Sequence, residues 1–286
     1  MTTLLLIMLV GFPALVALLT YTLYCYEETN SAGTPFTKLL PNVLPTILKS
    51  YLSEVAILFL YPVGLWPSLW SRPSGDRPVV VLVHGLFHNP SAWALFRHRL
   101  RTRGYAVACF AYPSWGTDMA SVEAKLEQFL LDICTTCPGR PVHLVGHSLG
   151  GLLLRGVLGN MDVPGQIRTL STLGTPFGGS KLAPFAFNSI GHDLMHDGPL
   201  VRTLATRPFP AHVRLLVLRA PADNMVLPNT ALGCNVRGCT EKQTPHSSHL
   251  SMLYSRPVFN EVVQWLDDAE KTGNLGPENL GSKIKD

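Results

Sequence analysis

The segment Val142-His143-Leu144-Val145-Gly146-His147-Ser148-Leu149-Gly150-Gly151 restricts this chain more than any other stretch of it. An apolar run that reads as a strand leads into G-x-S-x-G, and a helix begins near Ser148. The chain must therefore turn from strand to helix within a few residues. Glycines permit so sharp a turn, and the serine carries the backbone strain. The turn lifts Ser148 Oγ to the carboxyl end of a sheet, where the N-terminus of the following helix favours negative charge. A glycine-rich turn with an incidental serine is the plain alternative, and the flanking strand and helix argue against it.

The rest of the chain fits around that turn. Residues 79–83, 106–112, 142–145, 169–173 and 213–218 read as strands. Residues 91–103, 121–133 and 257–268 read as helices, alternating with them. Short β-rich runs between helices predict an α/β fold, with a mostly parallel central sheet covered on both faces. The polar Pro/Gly-rich stretch 71–78 marks a boundary. A domain over 79–271 follows, and then a polar tail, 272–286, expected to be disordered.

The front of the chain differs. Apolar types make up 47% of the 286 residues and charged types 15%, which excludes a disordered or highly charged chain. A net charge of +4, from 23 Lys+Arg against 19 Asp+Glu, gives no reason to expect a nucleic-acid partner. The apolar excess gathers in residues 4–24, 21 positions without a charge. A membrane-spanning helix needs about 20. Tyr21, Tyr24 and Tyr26 stand where an interfacial aromatic belt would lie. The run is long for a signal peptide and has no basic residue before it, so residues 1–26 are expected to be a single-pass membrane anchor. Residues 27–78 read as an apolar juxtamembrane segment and linker. Within them, 39–70 is expected to lie on the membrane surface or pack on the catalytic domain. A second span is the alternative.

Three further motifs accompany the serine turn, and together they resemble the α/β-hydrolase family, in particular its bacterial lipase-like members, over residues 79–266. After the first strand comes His84-Gly85-Leu86-Phe87. The resemblance implies an oxyanion hole from the N–H groups of Leu86 and Leu149, with His84 structuring the loop. Next, Leu173-Gly174-Thr175-Pro176-Phe177-Gly178-Gly179-Ser180 matches a G-[ST]-P-x-x-G segment, implying a pocket wall and the entrance to a lid. The acid and base come last. Asp223, in Ala222-Asp223-Asn224-Met225-Val226-Leu227-Pro228, matches the family's acid, ahead of Asp193 and Asp197. His249, in His246-Ser247-Ser248-His249-Leu250, matches its base, with His246 in reserve. The implied mechanism is a Ser148–His249–Asp223 triad working through an acyl-enzyme. Phe87, Phe177 and Met225 are candidate pocket residues. Residues 177–212 resemble a lid-like insertion, and an ordinary helical excursion is the other reading.

Neither a cofactor nor a metal site is expected, since the histidines lack ligand spacing. Two close cysteine pairs, Cys134/Cys137 and Cys234/Cys239, read as short-range disulfides or as reduced thiols. Disulfides would place the catalytic domain on the extracytoplasmic side, which is the side expected. The Lys and Arg residues after the apolar run argue the other way. The expected function is a membrane-anchored serine hydrolase of carboxylic esters, with lipids as the favoured substrate. A lipid acyltransferase using the same acyl-enzyme and a non-catalytic binding module are the alternatives.

Overall fold

The computed structural model describes residues 2–73 and 75–273. Two long helices come first, α1 (Thr2–Asn30) and α2 (Phe36–Leu60). Six strands then build one parallel sheet: β1 (Val79–Val83), β2 (Ala106–Phe110), β3 (Val142–His147), β4 (Ile167–Leu173), β5 (Arg214–Arg219) and β6 (Thr240–Gln243). Their order is β2-β1-β3-β4-β5-β6. Between and after them run α3 (Ala94–Thr102), α4 (Met119–Thr136), α5 (Leu149–Leu158), α6 (Ser189–Asp193), α7 (Pro199–Thr206) and α8 (Arg256–Gly273).

β1 shows why the sheet is covered on both faces. Its sequence, VVVLV, offers no polar position, and every residue is buried. Val79, Val81 and Val83 join a core with Leu126 and Leu130 of α4 and Leu152 to Leu154 of α5. Val80 and Leu82 join a second core with Phe96 and Leu100 of α3 and Val258, Phe259 and Val262 of α8. The two-residue strand period thus feeds both layers. β6, with the sequence TEKQ, escaped the sequence reading. It is an edge strand paired through its backbone to β5, and it has no apolar pattern to reveal it.

The N-terminal helices are in contact with the rest of the chain. They pack on each other across the connection 31–35 and rest on the catalytic domain. Tyr21 and Tyr24 do not form an aromatic belt: both are buried, in one cluster with Leu39, Val43, Ala222 and Leu227. Tyr26 is exposed. Within 27–78, where 39–70 is expected on the membrane surface or packed on the domain, α2 packs with a buried stripe from Leu39 to Ile57. Unusually, that stripe holds Thr46, Ser50, Ser53 and Glu54, while Leu44, Leu48, Leu52 and Phe59 face outward. On α1, Phe12, Leu15, Leu18 and Leu19 are likewise exposed. Met8–Asn30 and Phe36–Leu65 are each long and apolar enough to cross a membrane.

All six cysteines are free thiols. The two local pairs are not bridged, so they give no support to an extracytoplasmic domain. Of the tail 272–286, residues 272 and 273 complete α8 and 274–286 lie outside the described residues. The insertion 177–212 is a packed excursion: Ile190, Leu194, Val201 and Leu204 are buried in it, while Phe185 and Phe187 stand exposed.

Candidate active site

The turn after β3 carries Ser148 at φ 53° and ψ −125°, a backbone conformation that L-residues rarely adopt. Its surroundings account for that conformation. The Ser148 N–H donates to the Leu173 carbonyl at 2.8 Å, and Thr175 Oγ1 donates to the Ser148 carbonyl at 3.1 Å. The Gly-Thr-Pro segment thus braces the serine, a role beyond the pocket wall expected of it. Gly150 is obligatory for the same packing: a Cβ there would drive into the carbonyl oxygens of Val83 and His84. Ser148 itself is half-buried, within reach of solvent.

Asp223 and His249 come together beyond the end of β5, two strands along from β3. His249 Nδ1 lies 2.8 Å from Asp223 Oδ2, and both side chains are almost wholly buried. The other carboxylate oxygen, Oδ1, accepts the N–H groups of Met225 (3.0 Å) and Val226 (2.9 Å). One oxygen is therefore spent fixing the loop, and the other orients the imidazole. Gly174, at φ +58°, leaves room for the pair: a Cβ there would lie 3.1 Å from His249 Nδ1 and 3.2 Å from Asp223 Oδ2. The sequence marked Gly174 only as part of a turn. The reserve base, His246, is exposed, and its carbonyl accepts Lys49 Nζ at 2.8 Å. Asp193 and Asp197 lie in the insertion, and Asp197 Oδ2 is 3.8 Å from His196.

The expected oxyanion donors flank the serine. Leu149 opens α5, so its N–H has no acceptor within the helix. In the loop after β1, the Phe87 N–H is taken by Ser114 Oγ (2.7 Å) and that of His88 by the Gly85 carbonyl (3.3 Å). The Leu86 N–H has no partner among the described residues. His84 props this loop. It is buried, stacked on Tyr112 at 4.2 Å, and its carbonyl accepts the Tyr112 hydroxyl. Burial pushes the His84 imidazole down to about 4.

Two further histidines, not singled out from the sequence, lie close to His249: His147 directly and His88 behind it. His147, just before the serine, donates Nε2–H to the His249 carbonyl at 3.0 Å, and the two rings lie 4.8 Å apart. Its burial holds the imidazole well below the usual range. His88 lies against His147, and burial pushes it down to about 3. Both are therefore neutral at pH 7. A protonated ring beside His249 would oppose the positive charge that a base must take up.

The three pocket candidates separate. Met225 belongs to the acid loop, beside Asp223. Phe87 sits at the rim, 39% exposed, with its ring 5.2 Å from Trp115. Phe177 lines a different cleft, about 520 Å³, together with Leu152, Arg155, His196 and Val201; the triad candidates are not among its walls. Among the described residues no group of three or more His, Cys, Asp or Glu is arranged to hold a metal ion.

A match to the Alpha/beta hydrolase family covers residues 80–261. Methylesterase 17 of Arabidopsis thaliana is 34% identical over 89 residues, 29% of this chain and 32% of that protein. A probable esterase of Oryza sativa subsp. indica is 35% identical over 80 residues, 26% of this chain and 30% of its own. The chain thus spans about a third of the length of the curated relatives it matches. A mature Bacillus licheniformis lipase superposes with a TM-score of 0.58 at 21% identity, covering 69% of this chain and 95% of the lipase. Esterase B from Lactobacillus rhamnosis gives 0.53 at 14% identity, covering 73% and 81%. These solved structures share the fold. With a family match running from β1 into α8 and enclosing Ser148, Asp223 and His249, this chain belongs to the alpha/beta hydrolase family.

Proposed function

We propose that the protein is a serine hydrolase of carboxylic esters, with lipid esters as its substrates, held at a membrane by its N-terminal apolar helices. The observation that carries the reading is the buried Asp223–His249 hydrogen bond at 2.8 Å, beside a serine on a strained turn. Ser148 Oγ attacks the ester carbonyl carbon and its proton passes to His249. Asp223 fixes the tautomer and stabilises the imidazolium. The N–H groups of Leu86 and Leu149 take the charge that develops on the carbonyl oxygen, each donor worth roughly 3–4 kcal/mol. His249 returns the proton to the departing alkoxide, leaving an acyl-enzyme. A water molecule then repeats the sequence and releases the acid.

The lipid preference is supported by the apolar surroundings. Phe87, Trp115, Phe185 and Phe187 are exposed near the loops in question, and α1 and α2 turn leucines and phenylalanines outward. Exposed apolar surface on this scale marks a membrane or partner face.

The test is hydrolysis of p-nitrophenyl esters from acetate to palmitate by detergent-extracted protein and by Ser148→Ala. Activity that rises with chain length and falls by about 10³-fold or more in the variant fits the reading. Activity on short chains alone would remove the lipid preference. A folded protein inert on every ester would favour acyl transfer or a binding module.

A further inference from the structure

The N-terminal helices touch the active-site loops directly. Asn224, adjacent to Asp223, is fully buried, and its Nδ2 donates to Thr20 Oγ1 of α1 at 2.8 Å and to Ser50 Oγ of α2 at 3.4 Å. The Tyr24 hydroxyl donates to the Pro221 carbonyl at 3.3 Å, and that of Tyr21 to the Ala222 carbonyl at 3.5 Å. Ala222 and Leu227 pack into one apolar cluster with both tyrosines. The loop is therefore held at 221, 222, 224 and 227. Asp223, in their midst, faces the other way, toward His249. The base loop is held from the same helix: Lys49 Nζ donates to the His246 carbonyl, and the turn Ser251–Leu253 packs on α2. Consecutive residues of α2, Lys49 and Ser50, thus reach the base loop and the acid loop respectively.

The seam is polar where an apolar one would be more stable. Ser50 Oγ also donates to Glu54 Oε1 at 3.2 Å. Asn224 Oδ1 and Glu54 Oε2 have no hydrogen-bond partner among the described residues. Incomplete pairing of buried polar groups opposes folding. What such groups provide is register, because directional bonds tolerate one alignment and leucines tolerate many.

We propose that α1 and α2 are part of the catalytic apparatus, with Asn224 as the positioning residue through which they hold Asp223 against His249. The proposal rests on the triad reading above. Asn224 touches neither substrate nor reacting atoms and acts through Asp223.

The experiment uses the full chain in detergent, with three variants: Asn224→Ala, the double change Thr20→Val with Ser50→Ala, and Thr20→Ser, which keeps the hydroxyl. Two readouts are taken, kcat and KM on a p-nitrophenyl ester and the low-field proton resonance of the Asp223–His249 hydrogen bond. A displaced acid predicts a kcat about 10²-fold lower with KM unchanged, together with a weakened or lost resonance. The helix-side double variant should reproduce both without altering the loop's sequence, and Thr20→Ser should keep both at wild-type level. A double variant with wild-type kcat and an intact resonance would overturn the proposal. So would a loss of thermal stability with the resonance unchanged, which denotes a merely structural seam. Failure of the hydrolase reading is separable, because the resonance is observable in Ser148→Ala and in an enzyme that cleaves no ester tested.

Discussion

The turn of Ser148 follows β3 and the loop of Asp223 follows β5, and different forces hold them. Around Ser148 the partners are close at hand, at the ends of the sheet strands: the Leu173 carbonyl, the Thr175 hydroxyl, and the β1 backbone against Gly150. Around Asp223 half the restraint is imported. Met225, Val226 and Asn229 tie the loop to itself, while Thr20, Tyr21, Tyr24 and Ser50 grip it from helices far away in sequence. A turn fixed by backbone geometry is robust to its surroundings and intolerant of an added atom. A loop fixed by distant side chains is adjustable, and exposed to anything that moves those helices.

Substitutions can sharpen that contrast. Asp223→Asn keeps the shape of the loop but presents the wrong hydrogen-bonding partner to His249. It should lower kcat by about 10⁴-fold with the fold intact, measured by initial rates and circular dichroism. Gly174→Ala places a methyl group beside His249 Nδ1 and Asp223 Oδ2 and strains a positive φ. A displaced imidazole should cost about 10²-fold in kcat, and an unaffected rate would show that the pair yields without consequence. Gly150→Ala acts on the other side of the comparison. Its Cβ meets β1 backbone, so the loss should appear chiefly as stability, about 3 kcal/mol by denaturant unfolding.

The smallest effect concerns pH. Burial depresses His84, His88 and His147 below their ordinary value near 6.5. Below that pH the unfolded chain binds protons that the folded chain refuses, so stability falls as pH drops from 7 toward 4. Thermal unfolding at pH 7.5 and pH 5 should show a lower Tm at the acid end. His88→Gln should narrow the difference. An equal or wider difference in that variant would remove His88 from the account.

The same division governs what the sequence could disclose. Ser148, the five apolar strands and the covering helices follow local rules, a G-x-S-x-G between strand and helix and a two-residue or 3.6-residue period. Asp223 and His249 were reachable only through motif resemblance and chain order, since nothing in Ala222-Asp223-Asn224 announces its partner. The role of Asn224, the bracing by Thr175 and the room left by Gly174 depend on contacts between segments, and no local pattern encodes them. Packing of 39–70 on the domain was one of two expectations, and one signal favours it. Thr46, Ser50, Ser53 and Glu54 recur at helical spacing in an otherwise apolar helix, and such a stripe faces protein. Residues 39–70 contained the information that α2 packs on the domain. The apolar face alone is compatible with either.

The contact between Thr20 and Asn224 spans 204 positions of the chain, and that distance has a consequence for biogenesis. Residue 20 leaves the ribosome long before residue 224. At roughly 5–20 residues per second the interval is about 10–40 s. Through it, α1 and α2 must be kept from aggregating while the loop they will grip is still unmade. A bilayer that receives their outward leucines would shelter them for that time, and the Asp223 loop gains its grip only when residue 224 has been made.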